Sequence, residues 1–357
     1  MNFLPGIKLT FDDVLLVPQF SEINSRETID LSQDFLGWRL DIPIISANMD
    51  LVTGAEMAFA MRDVGGLGIL HRFYDSWEKE RQDIEEFLKF SDFPTAISVG
   101  IRDFGKALEK IEFIAGYFRL ENYVPAPPFI VCIDVAHGDH KRVRELILLI
   151  KNSYPQVKII AGNVSTWDGF IFLANTGADA VKVGIGPGSA CTTRVVTGFG
   201  YPQFSAIYDI AAHRYRSIHD PSTLPLVIAD GGIRSSGDIV KALAAGADAV
   251  MIGNLLAGTQ ETPGEVLENV TGRRYRRYRG QSIFGANGER YVKEGVSGFV
   301  EEKGPVANVI KYLVGGIRSG LSYAGAMNLQ ELRENAEFIQ VSNNTIHESN
   351  PRLAEVM

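Results

Sequence analysis

Short apolar runs alternate with longer segments of helical spacing along most of this chain. Eight runs read as strands: PIISA (43–47), LGIL (67–70), TAISV (95–99), FIVCID (129–134), VKIIAG (157–162), DAVKVG (179–184), PLVIAD (225–230) and DAVMIG (248–253). Their near-continuous apolarity is that of parallel strands buried on both faces. Between them the spacing becomes helical, as in SWEKERQDIEEFLKF after the second run and KRVRELILLIKNSY after the fourth. The segments NTGADAVKVG and AAGADAVMIG resemble each other, an echo expected of a repeated βα unit. Eight such units close a barrel, so the fold class predicted is α/β, a (β/α)8 TIM barrel.

Barrel chemistry sits on the loops that follow the strands. Here those loops begin SANMD, HRFY, SVG, DVAHGD, GNVS, GIGPGSACTTR, DGGIRSSGD and GNLLAGT, nearly all glycine, hydroxyl, amide or carboxylate residues. Such a set can cradle a phosphate and a ribose, because glycines let backbone N–H groups approach an anion. After the eighth strand the segment 272–298, GRRYRRYRGQSIFGANGERYVKEGVSG, has little apolar periodicity and reads as a mobile flap over the barrel mouth. A last helix is expected over PVANVIKYLVGGIRS, followed by a loosely held polar tail, about 341–357. No linker marks a second domain, so residues 1–357 are expected to form one catalytic domain.

The size fits that reading, since 357 residues with 45% hydrophobic content supply one large core. A net charge of −8 and a pI near 5.4 argue against nucleic-acid or anionic-membrane partners, which need a basic field. No basic start leading into a long apolar run is present, and a soluble cytoplasmic protein is the expectation. The two cysteines, Cys132 and Cys191, exclude a disulfide framework and a cysteine-based zinc cluster. Cys132, inside FIVCID, reads as a buried strand residue.

Cys191 has different neighbours. In VGIGPGSACTTR (183–194) a strand end, three spaced glycines, a cysteine, two threonines and an arginine converge, a setting that favours thiolate formation and nucleophilic attack. Other candidates have bland alternatives. Asp230, followed by two glycines, can cap a turn. His137 and His140 lie three apart but have no third ligand nearby, which argues against a metal site. The run RRYRRYR (273–279) looks like a nucleic-acid patch, yet in an acidic chain it reads better as flap surface, with Tyr278 alone reaching phosphate.

The string VGIGPGSACTTR followed by TGFGYPQ closely resembles the catalytic loop of the IMP dehydrogenase/GMP reductase family. LTFDDVLLVP, ISANMD, IDVAHGD, AGNVST, IADGGIRSSGDI, AVMIGNLLAGT and YRG extend the likeness along nearly the whole chain. The resemblance implies that Cys191 forms a covalent thioimidate at purine C2. It implies phosphate contacts from Ser189, Gly232, Gly253 and Tyr278, ribose binding by Asp230, and packing of Met49 on the purine. Asp134 corresponds to a residue beside the nicotinamide ribose, with Asn163 and Arg72 on the same cofactor side. Arg72 is a candidate partner for a 2′-phosphate. Gly184 and Gly186 belong to a loop that in dehydrogenases also lines a potassium site. The resemblance implies a homotetramer, with SGLSYAG (319–325) and its Tyr323 reaching a neighbour's cofactor site.

The two branches of the family share the covalent intermediate. By resemblance, a dehydrogenase oxidises IMP to XMP with NAD and then hydrolyses the adduct with an Arg-Tyr pair on a long flap. A reductase converts GMP to IMP and ammonia with NADPH and needs no hydrolysis. Many dehydrogenases insert CBS modules after the second strand, where this chain has room for one helix only. Only residues 281–293 lie between YRG and EGVSG, a compact flap that resembles reductases. On that basis GMP reductase is the expected activity, with Thr193 and Glu294 protonating the departing amine and Gln281 and Ser282 near the base. A dehydrogenase lacking CBS modules is the alternative, favoured by Arg290-Tyr291, by Gln281-Ser282 and by the Glu348-Ser349 ending. A third reading, a purine-nucleotide-binding barrel without catalysis, leaves the nucleophile unexplained.

Overall fold

All eight expected strands form, and they lie in one parallel sheet: β1 (Ile44–Ser46), β2 (Leu67–Gly68), β3 (Ala96–Val99), β4 (Ile130–Asp134), β5 (Lys158–Val164), β6 (Ala180–Val183), β7 (Leu226–Asp230) and β8 (Ala249–Ile252). The computed structural model describes residues 4–89, 93–121, 129–216, 223–280, 284–285, 288–289, 292–342 and 344–349. Neighbours in the sheet are β2-β1-β8-β7-β6-β5-β4-β3. The ring closes where Leu70, just past β2, pairs in parallel with Ile97 of β3, with both ladder hydrogen bonds at 3.0 Å. The fold is a (β/α)8 barrel.

Eight helices follow the strands: α1 (Ala55–Asp63), α2 (Trp77–Leu88), α3 (Phe104–Leu120), α4 (Lys141–Ser153), α5 (Trp167–Thr176), α6 (Gln203–Arg216), α7 (Ser236–Ala244) and α8 (Val306–Tyr323). The turn into each helix is made by residues suited to it. Ser76, Asp103, Thr166 and Ser235 accept backbone N–H groups at the N-termini of α2, α3, α5 and α7. His140 caps α4 through its ring, accepting the Arg142 N–H, which gives this histidine a local structural role. Among the described residues, α2 is the only helix between β2 and β3.

The core has two layers. Inside the barrel Ile45, Leu67, Ile69, Ile130, Cys132, Ile160, Ile228 and Met251 pack together, and the hairpin strands Gln33–Phe35 and Trp38–Leu40 close the end where the strands begin. Phe35, Leu36 and Leu40 enter that interior, and Gln33 Nε2 donates to the carbonyl of Asp248 at the start of β8. Burial pushes the Cys132 thiol up to about 12, as expected of a packed strand residue. A second, larger layer fills the space between strands and helices.

The period-2 alternation along the strands then sets the position of the site. One step beyond the apolar inward residues Cys132, Ile160, Ala180 and Ile228 stand Asp134, Gly162, Lys182 and Asp230. The barrel interior therefore ends, at the mouth, in a polar layer.

Part of the expected flap, 272–298, is regular strand. Residues Val266–Glu268, Arg274–Arg279 and Ser297–Glu301 form a three-stranded antiparallel sheet. Its periodicity is hidden because Arg276 and Tyr278 occupy the buried positions. The Arg276 guanidinium donates to the carbonyl of Thr262 and pairs with Glu302, and Arg274 pairs with Glu302 as well. The arginine-rich run is thus partly a structural strand. Within the polar tail, residues Asn344–Ser349 form a short helix. Among the described residues no helix is long and apolar enough to cross a membrane.

Candidate active site

A cavity of about 260 Å³ opens at the strand C-termini. Met49, Ser189, Asp230, Gly232, Gly253 and Tyr278 all line it, so six of the expected nucleotide-binding residues converge on one space. A larger recess of about 1100 Å³ lies between α6 and the segment 329–340, and its lining includes none of these residues. The smaller cavity is the one that carries chemistry.

Two backbone features shape it. Gly184 adopts φ 149°, and a Cβ there would lie 2.0 Å from the carbonyl oxygen of Asp230. Only glycine lets the loop after β6 pass this close to β7. At Gly253 a Cβ would meet Met49 Sδ at 3.1 Å and the Tyr278 hydroxyl at 3.3 Å, so the absent side chain is what leaves the floor open. The Tyr278 hydroxyl lies 3.3 Å from Ser189 Oγ, and burial raises its pKa, keeping the phenol a neutral donor for an anion.

The nucleophile candidate stands at the rim. Cys191 Sγ donates to Thr193 Oγ1 at 3.1 Å, and Thr193 Oγ1 donates to Glu294 Oε2 at 2.9 Å. Thiol, hydroxyl and carboxylate form a relay along which a proton can pass from sulfur to Glu294. Thr193, 9% exposed, opens the short helix Thr193–Thr197 and is its buried residue. The relay is fixed by backbone pairing. Cys191 bridges Gly295, Thr192 N–H donates to the Glu294 carbonyl at 3.0 Å, and Val296 N–H donates to the Ala190 carbonyl at 3.0 Å. Chain residues 191 and 294 are thereby held together across about one hundred intervening residues.

Deeper in the mouth runs a chain of alternating charges. Arg72 Nε lies 3.3 Å from Asp134, Lys182 Nζ lies 3.1 Å from Asp134 and 3.4 Å from Asp230, and Asn163 Nδ2 donates to Asp230 at 2.9 Å. Burial acts to raise the Asp134 pKa, but Lys182 and Arg72 outweigh it and hold the carboxyl below its ordinary range. Lys182 shows the mirror effect. Burial acts to lower its pKa, and Asp134 and Asp230 drive it upward instead.

The model of the IMP dehydrogenase / GMP reductase domain matches residues 8–352. The chain belongs to this family. An inosine-5′-monophosphate dehydrogenase of Aquifex aeolicus is 37% identical, with 94% of this chain and 93% of the relative covered. Its Borreliella burgdorferi namesake is 36% identical with 96% of each covered, and that of Bacillus subtilis 33% identical with 98% and 96% covered. The Aquifex alignment extends over 464 residues against 357 here, so that family member carries segments this chain lacks.

These relatives overturn the expectation of GMP reductase. They bear the dehydrogenase name over nearly their full length, and flap length, which favoured the reductase, proves a poor discriminator. The pairing just described holds the nucleophile loop through the flap's base, at Glu294, Gly295 and Val296, and not through its tip. The Thr193–Glu294 pair is likewise neutral, since a carboxylate that can protonate an amine can also accept a proton from water.

Other expected residues are placed as follows. Asp134 and Arg72 meet at the mouth, but Arg72 is engaged by Asp134 and by the Phe73 ring, 4.3 Å from its guanidinium carbon. That engagement suits holding a carboxylate more than receiving a 2′-phosphate. Asn163 stands behind Asp230 and also donates to the Gly184 carbonyl at 2.8 Å. Of the two glycines expected to line a cation site, Gly184 and Gly186, the first accepts the Asn163 amide at its carbonyl and keeps a second lone pair there. Tyr323 is not brought to the site. It ends α8 at the opposite end of the barrel, with Arg26 over its ring at 5.9 Å. Gln281, Ser282, Arg290 and Tyr291 lie outside the described residues.

Several site residues were missed in the sequence. Lys182 was hidden inside the strand DAVKVG, where only its inward register gives it away. Gln203, 2% exposed, lines the cavity and donates to the Val183 carbonyl at 2.7 Å. Thr10, Asp12, Arg194 and Arg234 also line it, with Arg234 ion-paired to Asp12. The string LTFDDVLLVP contained the first two, and its Thr10-to-Asp13 capping box was the available signal.

Proposed function

We propose that the chain is an IMP dehydrogenase, oxidising IMP to XMP at purine C2 with NAD as acceptor. The observation that carries the reading is the likeness, over nearly the full length of both chains, to relatives named IMP dehydrogenase; the Cys191–Thr193–Glu294 relay beside the cavity supports covalent chemistry over binding alone. A module that only binds nucleotide has no use for a thiol wired to a carboxylate.

The residues divide the work. Ser189, Gly232, Gly253 and Tyr278 hold the phosphate, and Asp230 accepts hydrogen bonds from the ribose diol. Met49 packs on the base. The thiol proton of Cys191 passes through Thr193 to Glu294, and the sulfur bonds to C2. NAD, when bound, accepts the hydrogen that leaves C2 with its electron pair. The purine then remains joined to Cys191, Glu294 releases the thiol's proton to solvent, and water adds at C2 while Glu294, through Thr193, takes water's proton and returns it to the departing sulfur. The C2–sulfur bond breaks, giving XMP and the free thiol. Arg290-Tyr291, four and three residues before Glu294, is assigned by resemblance as a second group meeting that water.

The residues present fit the cofactor. Asp134, held ionised, has two oxygens for a ribose diol, and on neighbouring β3 the inward Ser98 hydroxyl is buried without a hydrogen-bond partner among the described residues. A homotetramer belongs to the same proposal, since only a second copy of the chain would bring Tyr323 to a cofactor site.

The test supplies purified protein with IMP and NAD, then with GMP and NADPH, following cofactor absorbance and product. Stoichiometric XMP from the first pair is expected. Consumption of GMP with no oxidation of IMP would overturn the proposal.

A further inference from the structure

The mechanism above uses Asp134 on the cofactor side and Asp230 on the substrate side, and it leaves Lys182 without a task. Yet Lys182 is 3% exposed, and its ammonium lies 3.1 Å from one carboxylate and 3.4 Å from the other. A buried cation is costly unless paired, and here both partners are ligand-binding groups. The space for it is built. A Cβ on Gly162 would lie 2.7 Å from Lys182 Cβ, so any larger residue on β5 would push the lysine out of line. On either side the arrangement continues, with Arg72 on Asp134 and Asn163 on Asp230.

We infer that Lys182 is a positioning residue that couples the two ribose sites, one buried ammonium holding the Asp134 and Asp230 carboxylates apart, ionised and aimed into the mouth. Two carboxylates on neighbouring walls of a low-dielectric floor repel each other. The ammonium between them converts that repulsion into two attractions. The side chain stays on the barrel floor, so its effect falls on the binding of both ligands rather than on the relay at Cys191. This inference rests on the proposed oxidation of IMP with NAD.

The test reads binding without turnover, by calorimetry on protein carrying Cys191→Ala, titrating IMP and then NAD into the IMP-saturated protein. Lys182→Met is expected to weaken both ligands at least tenfold. Lys182→Arg keeps the cation and is expected to hold both within fivefold. The double change Lys182→Met with Asp134→Asn removes one charge of each sign. It is expected to restore IMP affinity to within fivefold while NAD remains weak, and it serves if Lys182→Met does not fold. In protein retaining Cys191, Lys182→Met should raise both KM values with a change in kcat under fivefold. Loss of affinity for one ligand only, equal losses in the Arg and Met variants, or a double variant still tenfold weaker for IMP would overturn the coupling. Absence of IMP oxidation by the unmodified chain overturns the proposed function instead, and the binding titrations tell the two failures apart.

Discussion

Replacing Glu294 by Gln isolates the last member of the relay at nearly constant volume. The amide can still accept the Thr193 hydroxyl, now 2.9 Å from Glu294 Oε2, so the backbone pairing of Cys191 with Gly295 should persist. What disappears is the proton acceptor. General-base assistance is typically worth about 10²–10⁴-fold, and the lower end applies here because Arg290-Tyr291 provides a second group close in sequence. A loss of about 10²-fold in kcat corresponds to about 2.7 kcal/mol of transition-state stabilisation. The loss should fall mainly on hydrolysis, because a thiol with an ordinary pKa of about 8.5 gives up its proton to solvent far more readily than water, at about 15.7, does. Mixing the variant rapidly with IMP and NAD should therefore give a burst of reduced cofactor approaching one per Cys191, followed by slow turnover with the purine trapped on the protein. Intact-mass measurement of the quenched protein checks the adduct. A variant with unchanged kcat, or one that loses the burst while free XMP forms at the normal steady rate, would refute the assignment of Glu294 as the acceptor for water's proton.

The remaining predictions probe other parts of the site. Cys191→Ala should abolish XMP formation while IMP still binds in calorimetry, because the cavity lining does not include the thiol; retained turnover would remove the covalent route. Gly184→Ala should weaken IMP at least tenfold, since the new Cβ would lie 2.0 Å from the Asp230 carbonyl; unchanged affinity would show that Asp230 does not need this close approach. His71, 7% exposed, has its pKa lowered to about 3 by burial first and by the Lys110 charge second. Because the unfolded chain binds a proton near pH 6.5 and the folded chain does not, stability falls as pH drops from 6.5 towards 3. At pH 5 this amounts to about 2 kcal/mol, so urea midpoints at pH 7 and pH 5 should differ less in His71→Phe than in the unmodified chain. An equal difference in both would contradict a neutral His71.

How far the sequence revealed this protein depended on what filled the buried positions. The eight barrel strands were legible because their inward and outward residues are both apolar, as in Ile130 to Ile133. The polar layer was legible where it ended a strand, at Asp134 and Asp230, and illegible at Lys182, where one charged residue inside an apolar run gave no sign of its register. The flap strand Arg274–Arg279 stayed hidden because its buried members are Arg276 and Tyr278, whose burial is made possible by Glu302 and Ser189 far along the chain. Long-range partners of this kind leave no local pattern. The choice between dehydrogenase and reductase was illegible for a chemical reason, since both need a nucleophile at C2 and an acid-base pair beside it.

That ambiguity also accounts for the compact flap. A dehydrogenase cycle requires Cys191 to keep its place while the contents of the neighbouring space change from cofactor to water. Here the nucleophile's position does not depend on the tip. Cys191 N–H donates to the Gly188 carbonyl, and the adjoining residues pair with Glu294 and Val296 on the returning strand. Gly280 N–H in turn donates to the Val296 carbonyl, so the outgoing and returning strands are tied at the base by the same residue that ties the returning strand to Ala190. The positions of sulfur, threonine and carboxylate are thus set by residues on either side of 281–293. In sequence Arg290-Tyr291 precedes Glu294, the relay's carboxylate, by four and three residues. The proposed hydrolysis therefore rests on a relay that is held from both sides of the flap.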